Sequence, residues 1–314
     1  MNQRYFIAAA LVLGSVLVVG EPLSAQQTPP ANGVPVQTIV TVEPRHGSNV
    51  PEIKREDVLV FEGKDRDPVT DWVPLQGDRA DLEFFVLLDD SSSVSLGSQL
   101  DDIRGFINSQ PSTTKVGVAY MQNGIARIAQ NLTSDHAQAA KALRLPLGEA
   151  GANASPYFSL SDLVKKWPES KARREVLMVT DGIDRYYGEP DYNDPYLQAA
   201  IDDTQRAGIL VYAIYNPGVG HFGHSYWQNY WGQLYLSRLS DETGAEAYYI
   251  GFTGAPVSFS PYLDEINHRL GHQYLLGFQA KPQKKSGLQQ VKIRTEIQQV
   301  DLVAPRRIYV PAGQ

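Results

Sequence analysis

The middle of the chain alternates between short apolar runs and amphipathic segments. The apolar runs at 82–88, 176–179 and 209–215 predict strands that are buried on both faces of a sheet. Between these runs, apolar residues recur at helical spacing. Strands that alternate with helices predict the α/β fold class, with a doubly wound, mostly parallel sheet covered on both faces.

Turn and cap residues mark where the predicted elements begin and end. Gln122-Asn123-Gly124 lies between two strand-like runs and predicts a hairpin, which adds one antiparallel edge strand to the sheet. A polar residue followed by proline predicts the start of three helices, at Ser155, Asp194 and Ser260. A glycine predicts the end of three helices, at Gly208, Gly244 and Gly271.

Two β-rich segments flank the α/β region, which we place at 82–271. Residues 34–81 contain a strand-like run at 36–42, and residues 272–314 contain a clean apolar and polar alternation at 291–297. Each segment is small for a domain of its own. We therefore expect 34–81 and 272–314 to pack together as one small β-rich domain.

The first 25 residues have the pattern of a signal peptide. Arg4 precedes an apolar run at 6–19, and Leu23-Ser24-Ala25 provides a small-residue cleavage site. A membrane anchor is the alternative, but the run is shorter than the roughly 20 residues that span a bilayer. We expect a cleaved signal at 1–25, a disordered leader at 26–33, and export to the periplasm or the exterior. No later segment predicts a membrane span in the mature chain.

Composition and charge narrow the classes of protein further. The 314 residues are 42% hydrophobic and 20% charged, with a net charge of −7, so we expect a globular protein with no nucleic-acid partner. The chain contains no cysteine. Disulfides, thiolate metal sites, cysteine nucleophiles and a lipid anchor on cysteine are therefore excluded.

Carboxylate and hydroxyl side chains follow two of the predicted strands. Asp89 ends the first apolar run and is followed by Ser91 and Ser93, while Asp181 follows another run. Because the carboxyl ends of parallel strands meet at one edge of a sheet, we expect these side chains to face one ion. Ser155, at a helix start, is a fifth candidate ligand. Two carboxylates with neutral hydroxyls suit Mg²⁺ or Mn²⁺ better than Ca²⁺, and leave the ion open to an Asp or Glu carboxylate from a partner.

The two motifs together resemble the von Willebrand factor A (VWFA) domain. In that family, a segment like Asp89-x-Ser91-x-Ser93 and a later aspartate, here in Thr180-Asp181-Gly182, form the metal-ion-dependent adhesion site. The resemblance covers roughly 82–271, and the segments 56–63 and 243–248 are similar to bacterial secreted VWFA-related proteins. It implies a Rossmann-like fold and metal-dependent adhesion to a protein or matrix partner.

The sequence departs from the VWFA pattern in two places. Ser92 stands where the family usually has glycine, which should not affect the site. The family usually supplies a threonine ligand from the loop before the third helix, where the nearest match here is Ser155. That serine is equally well explained as a helix N-cap, and Thr133 is the other candidate. We expect Asp90 to face the solvent.

Other patterns have more ordinary explanations. The segment 218–223 matches a Gly-x-Gly-x-x-Gly dinucleotide fingerprint, but it comes late and no clean helix start follows it. We interpret it, with the aromatic run at 226–231, as a loop insertion whose aromatic side chains pack in its own core, with an exposed aromatic binding surface as the alternative. The nearby histidines lack further metal ligands. We interpret the acidic segment at 184–194 as solvated, with Asp194 capping the next helix.

The favoured function is divalent-metal-dependent binding of a protein or matrix partner, without enzymatic activity. One alternative is a structural or scaffold module with a degenerate metal site, and a less favoured one is a metal-dependent hydrolase. A phosphatase of the haloacid dehalogenase type would need an aspartate where Ser91 stands, and the sequence has no Gly-x-Ser-x-Gly elbow.

Overall fold

The computed structural model describes residues 33–47, 49–148, 154–187, 190–218 and 225–313. The strands in this part of the chain are β1 (Val34–Pro44), β2 (Val58–Glu62), β3 (Asp65–Asp67), β4 (Val69–Pro74), β5 (Leu82–Asp89), β6 (Thr114–Gln122), β7 (Ile125–Thr133), β8 (Arg173–Thr180), β9 (Ile209–Tyr215), β10 (Ala247–Tyr248), β11 (Gln273–Ala280), β12 (Gly287–Gln290), β13 (Lys292–Thr295), β14 (Val300–Val303) and β15 (Arg307–Val310). The α-helices are α1 (Leu100–Ser109), α2 (His136–Lys141), α3 (Pro156–Lys166), α4 (Pro195–Ala207), α5 (Tyr226–Thr243) and α6 (Ser260–Leu270).

The central sheet has the strand order β10-β9-β8-β5-β6-β7. Neighbouring strands pair in parallel, except that β6 and β7 are antiparallel. Asn123 and Gly124 join these two strands with φ angles of 50° and 79°, as a tight two-residue hairpin turn requires. The prediction of an α/β fold with a mostly parallel sheet is confirmed, and the predicted hairpin supplies the antiparallel edge strand.

Helices cover both faces of the central sheet. Strands β5 and β9 are buried at every residue, as their continuous apolar runs predict. On one face, Ile103 of α1 and Ile266 of α6 pack against the sheet. On the other face, Leu160 of α3 and Leu197 of α4 do the same. Each such side chain contributes about 1.5–3 kcal/mol by leaving water, so the sheet is held rigidly between two apolar layers.

The two flanking segments pair with each other strand by strand. Strand β1 pairs antiparallel with β11, from Val34 opposite Ala280 to Thr41 opposite Gln273, and β2 pairs with β13. Further sheets have the orders β14-β1-β11-β4, β13-β2-β3 and β12-β15. Their apolar side chains form a separate core. The short, half-buried strands β4, β12 and β14 were not among the predicted elements.

The flanking strands lie against the amino ends of the central strands. Arg173, the first residue of β8, donates hydrogen bonds to the Leu270 carbonyl oxygen at 2.9 Å and to the side chain of Gln273 at the start of β11. Gln273 in turn donates to the Tyr212 hydroxyl of β9 at 3.4 Å. Arg269 is buried and forms an ion pair with Glu43 of β1. The carboxyl edge of the central sheet therefore faces away from the flanking strands.

No helix within the described ranges is long and apolar enough to cross a membrane. The predicted signal peptide and nearly all of the predicted leader lie outside the described residues.

Candidate functional site

Asp89 ends β5 at the carboxyl edge of the central sheet, and its carboxylate is held by three hydrogen bonds. The side chain is buried. Its Oδ1 accepts from the Ser91 amide at 3.0 Å and from the Ser91 hydroxyl at 2.5 Å. Its Oδ2 accepts from the Thr180 hydroxyl, at the end of the neighbouring strand β8, at 2.7 Å. The two strand ends are thus linked through one carboxylate.

Asp181 follows β8 directly and is fully buried. Its Oδ1 accepts from the Ile183 amide at 3.0 Å, and its Oδ2 forms a 2.5 Å ion pair with Arg185. Burial and the negative charge of Asp181 raise the pKa of Asp89, while hydrogen bonds from Ser91 and Thr180 and the charge of Arg185 oppose that rise. The two predicted carboxylates therefore act on each other electrostatically.

A small cleft opens beside these groups. Its lining includes Asp89, Ser91, Ser155 and Arg185, and its volume is about 10 Å³. That volume holds about one water-sized group, so the cleft has room for an ion or a water. Cavities of 290–490 Å³ are lined by other parts of the described chain.

The sequence left open whether Ser155 is a helix N-cap or a candidate ligand, and its position fits both. It is the N-cap of α3, because its Oγ accepts from the Phe158 amide at 3.2 Å. It also lines the cleft with Asp89 and donates to Asp184 Oδ2 at 2.9 Å. The cap therefore places a serine hydroxyl in the cleft lining, hydrogen-bonded to the Asp184 carboxylate.

Asp184 is buried, so the interpretation of its whole segment as solvated is wrong. Its Oδ1 accepts from the amides of Tyr186 at 2.8 Å and Tyr187 at 3.2 Å. Burial raises the pKa of Asp184, and these bonds and the Ser155 hydroxyl oppose the rise. The same segment does supply the predicted cap, since Asp194 accepts from the first amides of α4.

Ser93 is not a cleft-lining residue, and Thr133 lies at the opposite edge of the sheet. Ser93 donates its amide to the Gly218 carbonyl oxygen at 2.5 Å and precedes the short 3₁₀ helix Val94–Ser98; it is not among the cleft-lining residues. Thr133 ends the antiparallel strand β7 opposite Val116. Because β7 runs against its neighbours, its last residue lies at the opposite edge from Asp89, and Thr133 is excluded as a ligand.

Asp90 is buried, so the prediction that it faces the solvent is wrong. Only 1% of it is exposed, and Arg144 binds its two carboxylate oxygens at 2.6 and 2.9 Å. Gln122 donates to it at 2.5 Å and the Leu147 amide at 3.1 Å. Burial acts to raise the pKa of Asp90, but these donors outweigh it and lower that pKa. Through Arg144 and the Leu147 amide, Asp90 therefore holds the loop after α2 next to the site by hydrogen bonds.

The aromatic run 226–231 belongs to a helix, not to a loop insertion. Ser225 caps α5 by accepting from the Gln228 amide at 3.2 Å, and the Gln228 side chain accepts from the Ser225 amide at 2.9 Å. Tyr226 and Trp227 are 74% and 66% exposed, so the expectation that they pack into a core is wrong. The segment 219–224, with most of the fingerprint and both histidines, lies outside the described residues.

The donor set fits a hard divalent cation in chemical type. Asp89, Ser91, Ser155 and Asp181 offer carboxylate and hydroxyl oxygens alone, which suit Mg²⁺ or Mn²⁺. Within the described ranges, no cluster of three or more His, Cys, Asp or Glu side chains is placed to hold a metal. A cation here would therefore depend on hydroxyls and water as much as on carboxylates.

Comparison with known proteins gives structural likenesses alone. No family model and no curated protein matches the chain. Among solved structures, it is similar to a von Willebrand factor type A protein from Catenulispora acidiphila (10% identity, 90% of this chain and 75% of that one, TM-score 0.46). It is also similar to an aerotolerance-related membrane protein from Bacteroides fragilis NCTC 9343 (15% identity, 60% of this chain and 98% of that one, TM-score 0.44). A third likeness is to the ArnB paralog VWA2 from Sulfolobus acidocaldarius (7% identity, 88% of this chain and 76% of that one, TM-score 0.38). At TM-scores below 0.5, these likenesses carry no information on ligand or partner.

Thr180, Asp184 and Arg185 are the residues at the site to which sequence reasoning gave no role. Thr180 belongs to the Thr180-Asp181-Gly182 motif, but its bond to Asp89 depends on the register of β8 against β5. Arg185 has one sequence signal, because it is a basic residue in an otherwise acidic segment. Neither signal indicates which carboxylate the side chain would reach.

Proposed function

We propose that this chain is an exported, non-enzymatic protein-binding module whose site at the carboxyl edge of the central sheet holds Mg²⁺ or Mn²⁺. One observation carries the proposal: a buried carboxylate, Asp89, is oriented by two hydroxyls in a small cleft, and the buried Asp181 acts on it electrostatically from outside the cleft lining. Buried carboxylates that repel each other are stabilised by a cation between them.

Each residue has a defined part in this proposal. Asp89 would supply the main negative ligand, with Ser91 and Ser155 as neutral oxygens and Asp181 acting directly or through water. The bound ion would supply an electrophilic position for an Asp or Glu carboxylate of the partner.

Exposed aromatic side chains support a protein partner. Tyr186 and Tyr187 follow the site loop directly, and they are 48% and 38% exposed. Tyr226, Trp227 and Tyr230 are exposed on the first turns of α5, which follows the carboxyl end of β9. Aromatic residues are enriched in protein interfaces, and Trp and Tyr often dominate the binding energy.

The first test is calorimetric titration of the purified protein with Mn²⁺ and Mg²⁺, alongside Asp89→Asn. We expect one saturable site in the wild type and binding weaker by on the order of tenfold or more in the variant, because a charged ligand is lost. Asp264→Asn, on the exposed face of α6, is the matched control for the change of charge. Equal affinity of Asp89→Asn and wild type would contradict the proposal.

A scaffold module without metal is the second candidate function. The ion pair between Arg185 and Asp181 favours it, because the pair already neutralises one of the two carboxylates. The two candidates separate in a partner-binding assay with EDTA: a metal-dependent module loses binding, and a scaffold keeps it.

A further inference from the structure

Arg185 brings a positive charge into the site from the loop that also carries Asp181. The two residues are four positions apart, and the guanidinium Nη2 lies 2.5 Å from Asp181 Oδ2. The Arg185 side chain is 25% exposed, whereas that of Asp181 is fully buried. The pair therefore joins a fully buried carboxylate to a partly exposed guanidinium, and Arg185 is the member of the pair that lines the cleft.

The guanidinium acts on more than one carboxylate. Burial alone would lower the pKa of Arg185, but attraction to Asp181, Asp89 and Asp184 raises it. Arg185 also lines the cleft with Asp89, Ser91 and Ser155. All three carboxylates attract this one guanidinium, and of the three Asp89 is the one that lines the cleft with it.

We propose that Arg185 is the resident cation of this site, and that a divalent ion binds only when the guanidinium leaves Asp181. This inference rests on the proposed function. Two cations beside the same carboxylate repel each other, and an arginine cannot escape that repulsion by losing its proton. Arg185 therefore sets the affinity of the site for metal and keeps the metal-free site neutralised.

The position of Arg185 makes this exchange feasible. Its side chain is the partly exposed member of the pair, so it can turn toward solvent without opening the core. Asp181 is anchored by the Ile183 amide and cannot follow it. The movement needed is a change of one side chain, while Asp89 keeps its bonds to Ser91 and Thr180.

The test is calorimetric titration with Mn²⁺ of the full protein, Arg185→Gln and Arg206→Gln. Arg206 is exposed near the end of α4, so its variant makes the same change of charge away from the cleft. We expect Arg185→Gln to bind Mn²⁺ roughly tenfold more tightly than the wild type, because no partly buried ion pair has to be broken. Arg206→Gln should match the wild type.

The outcomes separate this inference from the proposed function. Equal binding by wild type and Arg185→Gln overturns the inference and leaves the metal site standing. Absence of binding in both overturns the inference and the metal site together. Binding by Arg185→Gln alone supports the inference most directly.

A second variant covers the case in which loss of the ion pair prevents folding. Arg185→Lys keeps the charge but lacks the planar two-pronged donor and has a shorter reach. We expect its Mn²⁺ affinity to lie above that of the wild type, and its Tm to rise more with added Mn²⁺. If the Mn²⁺ affinity of Arg185→Lys and the rise in its Tm with added Mn²⁺ both equal those of the wild type, the inference is overturned.

Discussion

Glu175 is a fully buried carboxylate in β8, near the flanking strands and away from the candidate site. Burial raises its pKa from 4.5 to about 6, and the attraction of Arg173 offsets that rise in part. The folded protein therefore holds this proton more tightly than the unfolded chain does. The resulting stability is fully present below pH 4.5 and is lost as the pH rises through about 6.

Replacing Glu175 with Gln should remove this pH dependence. From pH 4.5 to pH 8 the wild type should lose about 2 kcal/mol of unfolding free energy relative to Glu175→Gln, since each unit of pKa corresponds to about 1.4 kcal/mol. Any effect of the replacement on the unfolding free energy that does not depend on pH is the same at both pH values and cancels in the comparison. Urea denaturation at both pH values measures the difference, with the exposed Glu56→Gln as control. A constant difference between variant and wild type would contradict the prediction.

At the scale of single residues, the sequence was informative where chemistry depends on neighbours along the chain. Asp89 and Ser91 are two positions apart, and their hydrogen bond follows from a tight turn after a buried strand. Asp90 was misjudged because its partner Arg144 is 54 positions away. Charges that are satisfied by distant residues leave no local pattern in the sequence.

Among the elements, the loop after β8 and helix α5 touch through their backbones. Gly182 has a φ of +70°, and a Cβ placed on it would overlap the Gly232 carbonyl oxygen; a Cβ on Gly232 would overlap the Asp181 carbonyl oxygen. Two glycines therefore allow the approach. The loop that carries Asp181 and Arg185 is braced against the helix that carries the exposed aromatic residues.

Gly182→Ala should lose about 3 kcal/mol of stability, because it combines left-handed backbone strain with a backbone collision. Gly208→Ala is the matched control, since its φ is +64° but nothing lies within 4 Å of the added Cβ. The control should lose about 1–2 kcal/mol, from strain alone. Chemical denaturation of both variants measures the two losses. Equal losses would show that the contact with α5 does not matter.

Cap residues predicted helix starts better than hydrophobic pattern did. Asp194 caps α4 and Ser155 caps α3, as their Asp-Pro and Ser-Pro pairs predicted. The start of α5 was missed because its first turns carry aromatic residues, several of them exposed, in place of a buried aliphatic stripe. Its capping box at Ser225 and Gln228 was the available signal.

At the scale of the whole molecule, the α/β order followed from alternating patterns, whereas the sheet pairings of the flanks did not. Strands β1 and β11 are more than 200 positions apart, and β1 lies between β14 and β11. Alternation shows which face of a strand is buried, but it does not select the partner or the register. Buried contacts such as Arg269 with Glu43 fix that choice in three dimensions.

The opposite placement of the flanking strands and the candidate site has a mechanical consequence. A load between a partner at Asp89 and the flanking strands would run along the central parallel strands, whose evenly spaced hydrogen bonds slant between neighbouring strands. Those bonds would be sheared together instead of being unzipped singly. The chain has no cysteine, so handles can be attached at Val94→Cys and Lys64→Cys. Single-molecule pulling should require more force there than across the sheet, between Arg127→Cys and Glu246→Cys; equal forces would contradict this. A fold loaded in this way resists tension in the direction in which an adhesive contact would apply it.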